Sequence, residues 1–141
     1  MMTAERTIAI NSAPDIVAAR QAGRDMAREL GFGTADQTCL ATAISELTRN
    51  VCQHAGRGVC VISDVSDPQM LKIRVQVEDQ GPGIPNIEAA LTEGFSTSGG
   101  LGLGLVGVRR LAHEFEIQSE PGHTQIVISM VQRRTRGRHV G

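Results

Sequence analysis

Hydrophobic residues recur at helical spacing near the start of the chain and predict two amphipathic helices. The first begins at "SAPD" (12–15), where Ser12 can cap the helix and Asp15 completes a capping box around a first-turn proline. Gly31 supplies its stop signal. The second begins at "TADQ" (34–37), which repeats the start signal. It carries apolar residues at positions i, i+4, i+7 and i+11, namely Leu40, Ile44, Leu47 and Val51.

The pattern then changes to the period of a β-strand. Residues 59–65 are apolar and β-prone, and "LKIRVQVED" (71–79) alternates apolar and polar side chains, which predicts a half-buried antiparallel strand. Residues 101–113 return to a helical pattern, and 115–119 with 124–132 predict a closing hairpin. The order α-α-β-β-α-β-β favours an α+β fold, a two-layer sandwich with helices on one mixed, mostly antiparallel sheet.

Composition describes an ordinary globular domain. The 141 residues are 40% hydrophobic and 21% charged, with a net charge of -1, whereas nucleic-acid and membrane-surface proteins favour a positive field. We assign residues 1–6 to an N-terminal tail, 7–132 to one domain, and 133–141, with four arginines, to a disordered basic tail. The sequence lacks a signal peptide, an apolar run of the roughly 18 residues that a span needs, and a CxxC motif, so we expect a cytoplasmic protein.

Glycine is concentrated in "GFSTSGGLGLGLVG" (94–107), which holds six of the chain's 16 glycines in fourteen positions. Glycine loses much backbone entropy on ordering, so this density predicts a close approach of the backbone to a ligand. A P-loop requires GxxxxGK[ST], but the chain's one lysine, Lys72, lies within the alternating strand. A dinucleotide fingerprint requires a preceding strand and a βαβ unit, and a protein-kinase glycine loop requires HRD and DFG motifs. The sequence offers none of these.

Glycines directly before a helix can bind an anion without any lysine. Exposed N–H groups and the positive end of the helix dipole attract phosphate. Gly100, Gly102 and Gly104 would let the backbone approach phosphate oxygens, while Leu101, Leu103 and Leu105 would anchor the segment by packing. The alternative is a flexible loop before a glycine-rich helix start.

Glu46 and Asn50 are four residues apart and share one face of the second predicted helix, beside its apolar stripe. An amide oxygen and a carboxylate at this spacing suit Mg²⁺, which takes few protein ligands together with phosphates and water. The carboxylate could also accept a proton from an attacking hydroxyl. The alternative is a solvated helix flank.

Asp79 ends the alternating strand, and "GPG" follows after one residue. An aspartate held at a strand end can accept a hydrogen bond from an exocyclic amine such as adenine N6. Gly81 and Gly83 would remove side chains where a planar ring must enter. The alternative is a simple turn.

Taken in order, these motifs resemble the N, G1 and G2 boxes of the GHKL ATPases, the superfamily of gyrase, Hsp90, histidine kinases and MutL. The boxes are Glu46-x-x-x-Asn50, Asp79-x-Gly81-x-Gly83 and Gly100-x-Gly102-x-Gly104. "PGHTQIVI" (121–128) resembles the strand that closes the adenine pocket, with Thr124 as its threonine. One departure is Gln53, where many members carry a basic residue.

Within the superfamily, the chain is similar to the RsbT-type switch kinases of bacterial stressosomes. The resemblance runs from about residue 7 to 132 and includes "GFSTSGGLGLGLVGVRRL" (94–111). It implies that Asn50 coordinates Mg²⁺ and that Glu46 orients or deprotonates the acceptor hydroxyl. The ATP-binding residues that it implies are Asn50, Asp79, Gly81, Gly83, Ser98, Gly100, Leu101, Gly102, Leu103, Gly104 and Thr124.

The resemblance further implies an ATP-dependent protein serine/threonine kinase in a partner-switching stress-signalling system. Its substrates would be STAS-domain antagonists (RsbS- or RsbR-like), and its released form would activate an RsbU-like PP2C-type phosphatase or another output protein. It allows a weak homodimer and implies no nucleic-acid or membrane partner. The alternatives are an RsbW- or SpoIIAB-type kinase that binds a sigma factor directly, and a non-catalytic ATP-binding switch module.

Overall fold

The computed structural model describes residues 4–84, 91 and 104–134. The helices and strands in these ranges are, in chain order, β1 (Glu5–Ile10), α1 (Ala13–Leu30), α2 (Thr34–His54), β2 (Gly58–Asp64), β3 (Met70–Asp79), α3 (Gly104–Leu111), β4 (Glu114–Glu120) and β5 (His123–Arg133). The strands form one sheet in the order β1-β2-β3-β5-β4. The predicted α/β sandwich is confirmed, although every strand pair in these ranges is antiparallel rather than mixed.

Local signals set the ends of the first helix. Asp15 Oδ2 accepts a hydrogen bond from the Ser12 N–H at 3.1 Å, as the capping box predicts. The helix ends at Gly31, which has a φ of 102° and donates its N–H to the Ala27 carbonyl at 3.2 Å. Helix α2 begins at Thr34 itself, with Gly33 at the N-cap position, one residue before the start that "TADQ" predicts.

The core lies between the sheet and the first two helices. The apolar stripe of α2 is at most 2% exposed, as predicted, at Leu40, Ile44, Leu47 and Val51. The apolar face of β3 is also buried, at Leu71, Ile73, Val75 and Val77. A Cβ at Gly23 of α1 would overlap the Ile44 side chain, so this glycine allows the two helices to approach closely. Cys60 is buried with this core, whereas Cys39 and Cys52 are half-buried.

The edge strand β1 is absent from the predicted order. It pairs with β2 from Glu5, opposite Ser63, to Ile10, opposite Gly58. The strand therefore begins inside the segment assigned to the N-terminal tail. Its six residues contain too short an alternation to identify it, and it is ordered by backbone hydrogen bonds to a distant strand.

The start of the predicted basic tail also belongs to the fold. Arg133 ends β5, and Arg134 donates its Nε–H to the Asp67 carbonyl at 2.7 Å. The rest of that tail, 135–141, lies outside the described residues. No helix in the described ranges is long and apolar enough to cross a membrane.

Candidate functional site

A row of polar residues crosses three strands at one end of the sheet. The strand register places Asp79 opposite Thr124, and Thr124 opposite Ser119. Because side chains alternate along a strand, all three lie on the face that also carries buried Val77. The Ser119 and Thr124 hydroxyls are 2.7 Å apart, and Ile84 donates its backbone N–H to Ser119 Oγ at 2.8 Å. Asp79 and Thr124, two of the residues predicted to hold adenine, are therefore neighbours, and Ser119 extends their row.

The turn after β3 fixes the orientation of the Asp79 side chain. Asp79 Oδ1 accepts the backbone N–H of Gly81 at 2.9 Å, which is the geometry of an Asx turn. No hydrogen bond to the second carboxylate oxygen is formed by the described residues. Among the described residues, the half-buried carboxylate thus has one oxygen held by the turn and a second oxygen with no hydrogen-bond partner.

The glycines of this turn make room for the protein itself. A Cβ at Gly81 would lie 2.7 Å from the Ala55 Cβ. Gly83 has a φ of +90°, and a Cβ there would lie 2.7 Å from the Glu120 carbonyl oxygen. The glycine spacing predicts space for a planar ring, but on the Cβ side of these glycines the space is filled by the end of α2 and by the β4–β5 turn. Ring access on the other side of these glycines stays a prediction.

The carboxylate of Glu46 is withdrawn from water. Its side chain is 10% exposed, which excludes the solvated helix flank at this position. Its Oε2 accepts a hydrogen bond from Arg49 Nη1 at 2.7 Å, and its Oε1 accepts the backbone N–H of Gly104 at 3.4 Å. Gly104 is the first residue of α3, so the buried acid of α2 meets the start of the helix that follows the glycine-rich segment. A carboxylate at a helix N-terminus is electrostatically favourable.

Asn50 lies one helical turn after Glu46 and is half-buried. Within the described part of the chain, its side-chain amide has no hydrogen-bond partner. An amide oxygen beside a carboxylate matches the oxygen ligands that Mg²⁺ prefers. The donor chemistry of this face of α2 therefore fits a magnesium–phosphate group.

Two close packing contacts bring the end of α2 to the end of β3. Gly81 packs against Ala55, the C-cap residue of α2. Gly58 stands opposite Asp79 on the sheet, and a Cβ there would lie 2.9 Å from Val51 Cγ1 and 3.2 Å from the Asp79 Cβ. The last turns of α2, which carry Asn50, therefore adjoin the strand ends that carry the polar row. We call this the α2–β3 junction.

Most of the predicted phosphate-binding residues lie outside the described residues, namely Ser98, Gly100, Leu101, Gly102 and Leu103. Gly104 is described and has a φ of +68°, in the left-handed region that favours glycine. The interpretation of this segment as a phosphate cradle stays a prediction.

Two polar residues at the site, Ser119 and Arg49, are absent from the predicted set. Ser119 shares the inward face of β4 with Ile117, and the register of the closing hairpin could have placed it beside Thr124. Arg49 lies three residues after Glu46, a spacing at which helical side chains meet. Gln53, the noted departure from the family pattern, is exposed.

Comparison with known proteins places these features in a family. Residues 35–134 match the family described as histidine kinase-, DNA gyrase B-, and HSP90-like ATPase. The chain is 56% identical over 108 residues to serine/threonine-protein kinase RsbT of Bacillus subtilis (strain 168). That alignment covers 77% of this chain and 81% of the relative.

Solved structures share the fold at low sequence identity. The RsbU and RsbW domains of a Mycobacterium tuberculosis protein superpose with a TM-score of 0.66 at 18% identity, over 96% of this chain and 34% of that chain. The mycobacterial sensor histidine kinase MprB superposes with a TM-score of 0.55 at 18% identity, over 94% of this chain and all of that chain. At this identity, the likeness is evidence of a common fold alone.

Proposed function

This chain belongs to the histidine kinase-, DNA gyrase B- and HSP90-like ATPase family and is a serine/threonine-protein kinase of the RsbT type, and from that premise we propose its reaction and partners. It transfers the γ-phosphoryl group of ATP to a serine or threonine of a STAS-domain antagonist. Phosphorylation releases the kinase, which then binds and activates a PP2C-type phosphatase or another output protein. In this way one domain alternates between two partners in a stress-signalling switch.

The observation that carries the proposal is the burial of Glu46 beside the start of α3. Burial of a carboxylate is unfavourable unless hydrogen bonds and charge compensate for it. Here Arg49 and the Gly104 N–H provide that compensation, and Oε1 lies where the glycine-rich segment enters the helix. ATP binding alone does not need a carboxylate at this position, so Glu46 weighs against a non-catalytic module.

Each group has a defined task in the reaction. Asp79 accepts a hydrogen bond from the adenine amine, and Thr124 hydrogen-bonds to the ring beside it. Asn50 is the residue that would hold Mg²⁺, which when bound neutralises phosphate charge. Glu46 orients the acceptor hydroxyl and takes its proton as the new oxygen–phosphorus bond forms and the bond to the ADP oxygen breaks. Positioning and charge neutralisation account for most of phosphoryl-transfer catalysis, so this short set of residues suffices.

The test is a transfer assay with the purified chain, γ-labelled ATP, Mg²⁺ and the STAS-domain protein that co-purifies with it. We expect labelled phosphoserine or phosphothreonine on the STAS protein, identified by mass spectrometry. Glu46→Gln should bind ATP within about 3-fold of the wild type but lose on the order of 10²-fold in transfer rate. Glu116→Gln, on the exposed outward side of β4, is the matched control and should leave both unchanged.

Two outcomes contradict the proposal in different ways. Undiminished transfer by Glu46→Gln would show that Glu46 is not the group that accepts the hydroxyl proton, although the chain would still be a kinase. A wild-type chain that binds ATP and its STAS partner but transfers nothing would favour the non-catalytic switch module.

A further inference from the structure

Arg49 is the immediate partner of the buried acid. Its Nη1 donates to Glu46 Oε2 at 2.7 Å, a short charge-assisted hydrogen bond. The Arg49 side chain is 43% exposed and the Glu46 side chain only 10% exposed, so the arginine lies between the carboxylate and solvent. The pair is three residues apart on α2 and directly precedes Asn50.

A second pair with the same spacing shows what is unusual here. Arg28 Nη2 lies 3.1 Å from Asp25 Oδ1 on α1, but those side chains are 61% and 28% exposed. An exposed ion pair of this kind contributes little, because water screens both charges and can replace the contact. The Glu46 carboxylate is only 10% exposed, so little water is available to replace Arg49 as its partner. Removal of Arg49 would leave Oε2 without a hydrogen bond, and the side chain could then turn to another rotamer to find one.

The two oxygens of Glu46 are not equivalent. Oε2 is held by Arg49 at 2.7 Å, whereas Oε1 has the longer contact of 3.4 Å to the Gly104 N–H. The shorter, charged bond makes Oε2 the poorer proton acceptor and leaves Oε1, at the start of α3, as the better one. The ion pair therefore occupies one oxygen of Glu46 and leaves the other directed to the start of α3.

We propose that Arg49 is a positioning residue for phosphoryl transfer, acting through Glu46. By binding Oε2 it holds Oε1 toward the acceptor hydroxyl, and it does so without contacting the nucleotide. This inference rests on the proposed role of Glu46 and gives a function to a position that the Glu46-x-x-x-Asn50 pattern leaves unspecified.

The test separates catalysis from nucleotide binding. Arg49→Met removes the charge but keeps the length of the side chain, and we expect kcat for transfer to the STAS-domain protein to fall by 10- to 100-fold, on the order expected for a misplaced catalytic group. The Kd for ATP, measured by calorimetry, should stay within about 3-fold of the wild type, because the pair acts after binding. Arg49→Lys, which retains a charged donor, should recover most of the lost kcat.

Arg28→Met is the matched control, since it breaks an ion pair of the same spacing on the neighbouring helix and should change neither kcat nor Kd. If Arg49→Met does not fold, as judged by its thermal unfolding curve, Arg49→Gln carries the same expectation. A folded variant without the charge that retains wild-type kcat would overturn the inference, as would equal losses in kcat and ATP affinity, which would indicate a phosphate contact. Absence of transfer in the wild type would instead contradict the proposed function itself.

Discussion

Asp79 and Thr124 stand directly opposite each other on neighbouring antiparallel strands, where β3 ends and β5 begins. The Asx turn holds the aspartate, and the Ser119 hydroxyl holds the threonine at 2.7 Å. A carboxylate acceptor beside a hydroxyl is the arrangement that the amine edge of adenine requires, since that edge offers a donor next to ring acceptors. The ATP site that we propose is built outward from this pair toward Asn50 and Glu46.

The packing of Gly83 gives a prediction about stability. Gly83 and Gly56 have nearly the same φ, +90° and +88°. A Cβ at Gly83 would meet the Glu120 carbonyl, whereas at Gly56 no atom of the described residues lies within 4 Å of the Cβ position. Gly56→Ala should therefore cost about 1 kcal/mol of unfolding free energy, from the left-handed conformation alone. Gly83→Ala should cost about 2 kcal/mol or more, because steric overlap adds to the strain.

Urea unfolding of the two variants measures the difference, and Gly56→Ala serves as the control for backbone strain. Equal losses of unfolding free energy in the two variants would mean that the turn after β3, which carries Gly83, does not pack against the β4–β5 turn. That result would leave the position of Asp79 less well fixed than the ATP site requires.

Periodicity made some elements predictable from the sequence. The Leu40–Val51 stripe repeats over three helical turns, and β3 alternates over its whole length, so both were identified with their buried faces. Strand β1 was missed because its order comes from pairing with β2, which lies far along the chain. The fully antiparallel sheet likewise depends on how distant strands pair, which the pattern within each strand does not specify.

The same distinction holds for the candidate site: motifs within one segment could be predicted from the sequence, and contacts between distant segments could not. Asp79 and Glu46 were identified because motif spacing is a local property. The packing of Gly81 against Ala55 could not be predicted, because it depends on how the end of α2 approaches the turn after β3. The pairing of Ser119 with Thr124 could have been found from the hairpin register, and that of Arg49 with Glu46 from helical spacing. Ser119 belongs to no motif, and Arg49 occupies a position that the Glu46–Asn50 motif leaves unspecified.

Burial of Cys60 predicts a loss of stability at alkaline pH. Desolvation raises the pKa of the Cys60 thiol from 9.0 to about 12. Between these values the unfolded chain releases the thiol proton while the folded chain retains it, so the free energy of unfolding falls as pH rises from about 9 toward about 12. From pH 8 to pH 10 the contribution of this thiol is a loss of about 1 kcal/mol.

The measurement is urea unfolding at both pH values, under reducing conditions, for the wild type and Cys60→Ala. Partial burial and the nearby Asp15 carboxylate raise the pKa of Cys52 as well, but Cys52 is present in both proteins and its effect cancels. The wild type should lose about 1 kcal/mol more than Cys60→Ala over this interval. An equal loss in the two proteins would show that Cys60 ionises as readily in the folded chain as in the unfolded one.

The most direct test of the ATP site is a calorimetric titration of Mg²⁺–ATP into the wild type, Asp79→Asn and Glu78→Gln. Glu78 is the neighbouring residue of β3 on the opposite face of the sheet, where it pairs with His123 at 2.7 Å, so it controls for loss of an acid at this strand end. A hydrogen bond to a charged group contributes about 1.5–3 kcal/mol, so Asp79→Asn should raise the Kd by at least about 10-fold, while Glu78→Gln stays within about 2-fold. Wild-type affinity in Asp79→Asn would contradict the placement of adenine at the α2–β3 junction and, with it, the proposed site.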